Sequence, residues 1–322
     1  MHDNSCTVLM CDVEADSPES AMRPTGPGRH SVEVVTSDLD FLKVRPTEQP
    51  GRFSFEVRDH LTRLDGRLYG GTAIAVSIAV AEALSGRKAL WATTQFVATA
   101  DNGVTVDVNA EVLAEGRRTS QVRITGAAPD GRVLFASLGA CGEPRADGMT
   151  GQFETMPEVS DPDESEHLDS PLASLAKLAE GIPRPVFPRR VGFTTAVEVR
   201  WAEVRRHPDP GPGRVCLWMR RRDGEPVTAA VAAFMADAVP LAVAHAMGVL
   251  GGGTSLDNTM RIAGGEGTEW VLLDLRPHFA WGGYGHGSAH VWNSEGRLLA
   301  TASQTASMIR FDELIRRISG AS

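Results

Sequence analysis

From Arg52 to Val57 apolar and polar residues alternate, the pattern of a strand with one buried face. Asp65-Gly66-Arg67-Leu68-Tyr69-Gly70-Gly71 then interrupts it as a turn. A nearly unbroken run of small and apolar residues, Thr72 to Leu84, predicts a helix on which Thr72, Ala73, Ala75, Ser77, Ala79 and Ala81 let a sheet approach closely. Strand-like segments follow at Leu90 to Ala98, Val104 to Ala114, Ser120 to Gly126 and Arg132 to Gly139. They are separated by Asp101-Asn102-Gly103, Glu115-Gly116 and Pro129-Asp130-Gly131, which carry the chemistry of tight turns. The first half therefore reads as one helix followed by four antiparallel strands.

The second half repeats this order. Strands are predicted at Thr194 to Trp201 and Arg214 to Arg220, a helix from Thr228 to Met247, and further strands near Ser255 to Ile262, Trp270 to Phe279, Gly287 to Trp292 and Leu298 to Met308. The segment Asp130-Gly131-Arg132-Val133-Leu134-Phe135-Ala136-Ser137 returns as Glu295-Gly296-Arg297-Leu298-Leu299-Ala300-Thr301-Ala302, an offset of 165 residues (130 to 295). Between the halves, Glu143 to Arg190 is acidic and rich in proline, a linker with a short helix at Leu172 to Glu180. The chain divides into a disordered tail (1–29), an N-terminal unit (30–142), the linker (143–190) and a C-terminal unit (191–322). Each unit is an α+β layer, a long helix on an antiparallel sheet, and two such sheets can pair edge to edge. Two copies of one unit predict a composite site between them.

Composition narrows the partners. The 322 residues carry 32 Lys and Arg against 41 Asp and Glu, a net charge of −9 with the basic residues scattered, so no stripe fits a nucleic-acid backbone. No apolar run reaches the roughly 20 residues that span a bilayer, and Val227 to Gly253 is interrupted by Asp237, Pro240 and His245. Residues 1–29 lack the basic start and apolar core of a secretory signal. Cys6, Cys11, Cys141 and Cys216 show neither a CxxC pair nor a disulfide framework. A soluble cytoplasmic protein is expected, with no membrane partner.

Asp237 is the sharpest chemical candidate. Only His245 shares with it the ability to ionise between Val227 and Leu250, and the surroundings are Ala, Val, Phe, Met and Leu. Desolvation raises the pKa of such a carboxyl unless donors hold the ionised form, which suits a group that takes a proton from water. Pro240 clashes with the carbonyl of Ala236 and distorts the turn carrying Asp237. The alternative is that Asp237 caps a new helical segment begun by Pro240. His245, about two turns on, reads more readily as a core histidine than as a catalyst.

Tyr69-Gly70-Gly71-Thr72 opens the first helix, where free N–H groups favour a developing negative charge, or forms a plain turn and N-cap. Gly251-Gly252-Gly253 and the glycines of 282–287 lack the strand-to-helix setting of a phosphate loop. No G-x-S-x-G elbow is present. His278, His286 and His290 show no metal-ligand spacing, so neither metal nor cofactor is expected.

Four stretches in this order resemble the double-hotdog acyl-CoA thioesterases, the type II bacterial and peroxisomal family. Tyr69-Gly70-Gly71-Thr72 is similar to the family's Phe-Gly-Gly-Gln helix start, and Ala236-Asp237-Ala238-Val239-Pro240 to its Asp-bearing helix segment. Thr254-Ser255-Leu256-Asp257-Asn258-Thr259-Met260 resembles its Ala-Thr-Leu-Asp-His-Ser strand, and Leu299-Ala300-Thr301-Ala302-Ser303-Gln304 its terminal strand. The resemblance covers most of the chain outside tail and linker. It implies a double hotdog in which Asp237, Ser255 and Gln304 orient a water that attacks a thioester carbonyl directly. Tyr69, Gly70, Gly71 and Thr72 would bind the substrate or its oxyanion.

The chain departs from the family at Thr72 (usually Gln), Ser255 (commonly Thr), Asn258 (commonly His) and Arg261 (frequently aromatic). Ser255 keeps the hydroxyl, whereas Thr72 and Arg261 bear on acyl-chain preference. Gln304 has Gly139 at its place in the first copy. The expected substrate is an acyl-CoA or acyl-carrier thioester, held in a tunnel lined by Ile74, Ile78, Phe234 and Met235, and the expected assembly a homodimer or higher homo-oligomer. Two other readings stay open at this point: a biosynthetic hotdog enzyme acting on a carrier-bound or non-thioester substrate, and an acyl-binding module without turnover. A dehydratase is disfavoured because no Asp-x-Asn-x-x-His motif occurs.

Overall fold

A computed structural model of the chain describes residues 37–168, 192–202, 210–265 and 267–310. The predicted tail (1–29) and linker helix (Leu172 to Glu180) lie outside these residues. In the first unit, strands β1 (Arg45–Pro46) and β2 (Arg52–Glu56) precede helix α1 (Gly70–Ser85). Strands β3 (Lys88–Phe96), β4 (Thr105–Glu115), β5 (Thr119–Ala127) and β6 (Val133–Gly142) follow. Every residue of α1 from Gly71 to Glu82 is buried, because the helix has the sheet on one side and the second unit's helix on another. A helix apolar all round is stable in water only when surrounded in this way.

The second unit contains β7 (Glu166–His167), β8 (Val197–Trp201) and β9 (Val215–Arg221), then two short helices, α2 (Ala229–Ala236) and α3 (Val239–Ala246). Strands β10 (Gly251–Ile262), β11 (Val271–Trp281), β12 (Tyr284–Asn293) and β13 (Leu298–Arg310) complete it. The single helix predicted from Thr228 to Met247 is thus broken at Asp237 and Ala238. Pro240 explains the break, since its ring cannot lie against the Ala236 carbonyl and it has no N–H to give. The stretch 229–246 is apolar enough to cross a membrane, with a mean hydropathy of 1.6, but 78% of it is buried inside the fold. Its two halves, α2 and α3, are the core helices of the second unit.

Among the described residues thirteen strands form one antiparallel sheet in the order β1-β2-β4-β5-β6-β3-β10-β13-β12-β11-β9-β8-β7. The halves meet edge to edge where β3 pairs with β10, from Asp257 opposite Gln95 to Arg261 opposite Trp91. Across this seam Thr259 donates to Thr93 at 3.0 Å and the Arg261 guanidinium lies over the Trp91 ring, 5.1 Å from its centre. Arg261 therefore joins the units. β6 and β13 hold equivalent places in the two halves, and the turns before them use Gly131 (φ 83°) and Gly296 (φ 80°) in the left-handed region. The sequence repeat is a structural one, and the architecture is a double hotdog.

The helices share one large apolar core that includes Ile74, Ile78, Phe234 and Met235, each at most 2% exposed. A second cluster lies on the other face of the C-terminal sheet, around Trp218, Trp270 and Trp292. Met156 and Val159 cover it, and the Trp218 indole donates to the Ser160 carbonyl at 2.8 Å. Gln152 bonds Gly296 O at 3.0 Å and Leu298 N–H at 2.8 Å. The described part of the predicted linker is thus a strap over the sheet. Its polar composition concealed this, because two apolar residues and one side-chain amide are enough to dock it.

Candidate active site

Asp237 stands at the break between α2 and α3, as the C-cap of α2 with φ −74° and ψ 41°. Ala238 occupies the N-cap of α3, with no side-chain bond, so the reading of Asp237 as a cap for that helix is not what the structure has. Its carboxylate points to the sheet. Oδ1 accepts from Ser255 Oγ at 3.0 Å, from Asn258 Nδ2 at 3.3 Å and from Gln304 Nε2. The Gly71 N–H at the start of α1 donates to the same carboxylate. Gln304 Nε2 also lies 2.7 Å from Ser255 Oγ. The three residues singled out in the sequence meet at one point.

A bulge in β10 produces this meeting. Ser255 and Asn258 are three apart and in a regular strand would face opposite sides. The pairing of β10 with β13 slips between Ser255 and Asp257, so that both side chains turn to the helical face. Asp257 closes the bulge by accepting the Thr305 N–H at 2.9 Å. Gln304 sits on β13 directly opposite Asn258. From the first unit, Gly70 and Gly71 allow contact: a Cβ at Gly70 would lie 2.6 Å from Asp237 Oδ2, and one at Gly71 2.2 Å from the Phe234 carbonyl oxygen.

Burial pushes the Asp237 carboxyl up to about 7, while the donors from Ser255, Asn258 and Gly71, and the Arg63 guanidinium, hold it down. Arg63 is itself bound to Asp65 at 2.6 Å and to Thr254 Oγ1 at 3.0 Å, next to Ser255. The buried oxygens Gln304 Oε1 and Asn258 Oδ1 have no protein partner among the described residues, which leaves two acceptors beside the carboxylate. Such a set receives a molecule with hydrogens to donate. Asn258 and Arg63 were not selected from the sequence. Asn258 stood out only as a departure inside its motif until the bulge turned it to Asp237, and Arg63, just ahead of Tyr69-Gly70-Gly71, carries no pattern that points to the carboxylate.

The remaining expected residues fall as follows. Tyr69 is buried, and its hydroxyl bonds the Asp237 backbone carbonyl at 3.0 Å. The Thr72 hydroxyl is buried and donates to Leu61 O at 2.9 Å. His245 bonds Leu241 O through Nδ1 at 3.0 Å and lies against Trp201, the core role expected of it. Gly251 to Gly253 open β10, and Gly282 and Gly283 form the β11–β12 turn. Among the described residues no group of three or more His, Cys, Asp or Glu could hold a metal. The wall of Ile74, Ile78, Phe234 and Met235 is closed-packed, and a small apolar cavity lies beneath α1 near Ile78, Ala81, Val122 and Gly139.

Residues 57–139 match the acyl-CoA thioesterase N-terminal domain and residues 162–308 the acyl-CoA thioesterase C-terminal domain. A candidate thioesterase from Novosphingobium aromaticivorans is 31% identical, over 81% of this chain and 96% of that one, with a TM-score of 0.68. The chain belongs to the acyl-CoA thioesterase family. Two mycobacterial structures share the family's fold with it. A tesB protein of Mycobacterium avium subspecies paratuberculosis is 22% identical over 86% of this chain and 98% of that one, TM-score 0.61. The acyl-CoA thioesterase II TesB2 of Mycobacterium marinum is 17% identical over 85% and 97%, TM-score 0.62. No curated protein sequence matches the chain. Both matched domains contribute strands to the one sheet, and the Asp237 cluster draws residues from each of them.

Proposed function

We propose that the protein hydrolyses acyl thioesters, with acyl-CoA as the first substrate to test, by direct attack of a water held at Asp237, Ser255 and Gln304. The observation that carries this reading is the convergence of Ser255, Asn258, Gln304 and the Gly71 N–H on one buried carboxylate. A water here gives one hydrogen to the Asp237 carboxylate and the other to Gln304 Oε1, which leaves its lone pair aimed at the thioester carbon. The oxygen–carbon bond forms as the proton passes to Asp237. The C–S bond then breaks, and the thiolate leaves with that proton, restoring the carboxylate and releasing the acid.

The oxyanion of the tetrahedral intermediate lies at the N-terminus of α1, where the helix dipole and the N–H groups of Gly70 and Gly71 favour negative charge. Gly71 N–H serves the carboxylate in the resting site. Protonation of Asp237 weakens that bond and makes the donor available when the oxyanion needs it. The test is Asp237→Asn, assayed with a chain-length panel of acyl-CoAs and a thiol reagent. General-base removal is expected to lower turnover by about 10²–10⁴-fold, with an unchanged far-UV circular dichroism spectrum. Turnover equal to that of the parent would overturn the reading.

A further inference from the structure

We propose that the Tyr69 hydroxyl is a positioning group for Asp237, reaching it from the opposite unit of the molecule. This rests on the reading of Asp237 as the water-activating base. Because α2 ends at Asp237, the carbonyl of that residue lacks a partner from a continued helix. The Tyr69 hydroxyl supplies one, 3.0 Å away, across a sequence separation of 168 residues. Together with the Gly71 N–H on the carboxylate, the first unit holds Asp237 at both its backbone and its side chain.

The tyrosine has little freedom to lie elsewhere. Its ring stacks on Phe193 at 4.7 Å and 13°, and meets Phe234 edge-on at 5.3 Å and 80°. A Cβ at Gly71 would lie 2.4 Å from the Tyr69 ring, so the second glycine leaves the ring its space as well. Burial holds the phenol far above its ordinary pKa, and the hydroxyl keeps its proton to donate. A phenylalanine in the same place would fill the same aromatic cage and give no hydrogen bond. Packing and positioning can therefore be separated by one oxygen atom.

Tyr69→Phe in the full chain is the test. Without the bond the Asp237 backbone relaxes, and the donors from Gly71, Ser255, Asn258 and Gln304 lose their alignment with the carboxylate. Donors to the ionised form hold its pKa down, so their loss raises it; Arg63, the charged group acting on Asp237 from outside this set, is unchanged. The expected result is a roughly tenfold fall in kcat, KM for acyl-CoA within about twofold of the parent, and an acid limb of the pH–rate profile moved to higher pH. A melting curve and far-UV spectrum like the parent's show that the fold is retained. A parent that depends on Asp237 beside a Tyr69→Phe enzyme of unchanged kcat and unmoved acid limb overturns this assignment alone. A parent without thioester hydrolysis, or one indifferent to Asp237→Asn, overturns the underlying reading of the site instead.

Discussion

At the scale of single residues, the molecule turns on the state of one carboxyl. Asp237 is 6% exposed, and burial outweighs its donors to place it about 7 against a starting value of 3.8. As the proposed base, Asp237 acts only when ionised, so kcat/KM should rise with pH through about 7. A pH–rate profile flat from 5 to 8 would remove Asp237 from the chemistry. The same shift bears on stability. Below about pH 4 the group is protonated in folded and unfolded chains alike and contributes nothing. Between pH 4 and 7 the unfolded chain releases the proton while the folded one keeps it, so stability falls as pH rises, by on the order of a few kcal/mol, and is constant above. The melting temperature of Asp237→Asn relative to the parent should therefore improve from pH 4 to pH 7.

At the scale of elements, two irregularities build the site: the helix break at Asp237 and the bulge in β10. The break was partly legible, because Pro240 inside an apolar helix announces a distortion at the preceding turn. The bulge was not. Nothing in Thr254-Ser255-Leu256-Asp257-Asn258 marks which residue is the extra one, since that follows from the register with β13. The bulge serves to bring the Ser255 hydroxyl to the face that carries Asp237, so Ser255→Ala should lower turnover about 10- to 100-fold, as when one oriented polar group leaves a transition-state site. Thiol release from acyl-CoA at the parent's rate in Ser255→Ala would mean that the bulge orients Ser255 to no catalytic end. The strap over Trp218 escaped notice for a related reason: an acidic, proline-rich composition says nothing about two well-placed apolar residues.

At the scale of the whole molecule, the site belongs to neither half. Tyr69, Gly70 and Gly71 come from the first unit, and Asp237, Ser255, Asn258 and Gln304 from the second. α1 and α2 bury their apolar faces against each other, and β3 and β10 complete each other's edges. Residues 30–142 and 143–322 produced separately should show no hydrolysis, and co-production should restore it, as measured by thiol release from acyl-CoA. Activity in the second fragment alone would show that the first unit does not complete the site.

The hydrophobic pattern by itself determined the helix-and-strand order, the duplication and the positions of the turns, because these depend on local spacing and on the backbone preferences of glycine, asparagine and proline. It also exposed Asp237, since a lone acid in an apolar helix is conspicuous in one dimension. Tertiary structure decided which polar groups face that acid. Asn258 reaches it through a bulge set by strand register, and Tyr69 through the docking of two units. Both are relations between segments far apart in the chain, and the energy that selects them is the packing of the whole sheet and its helices.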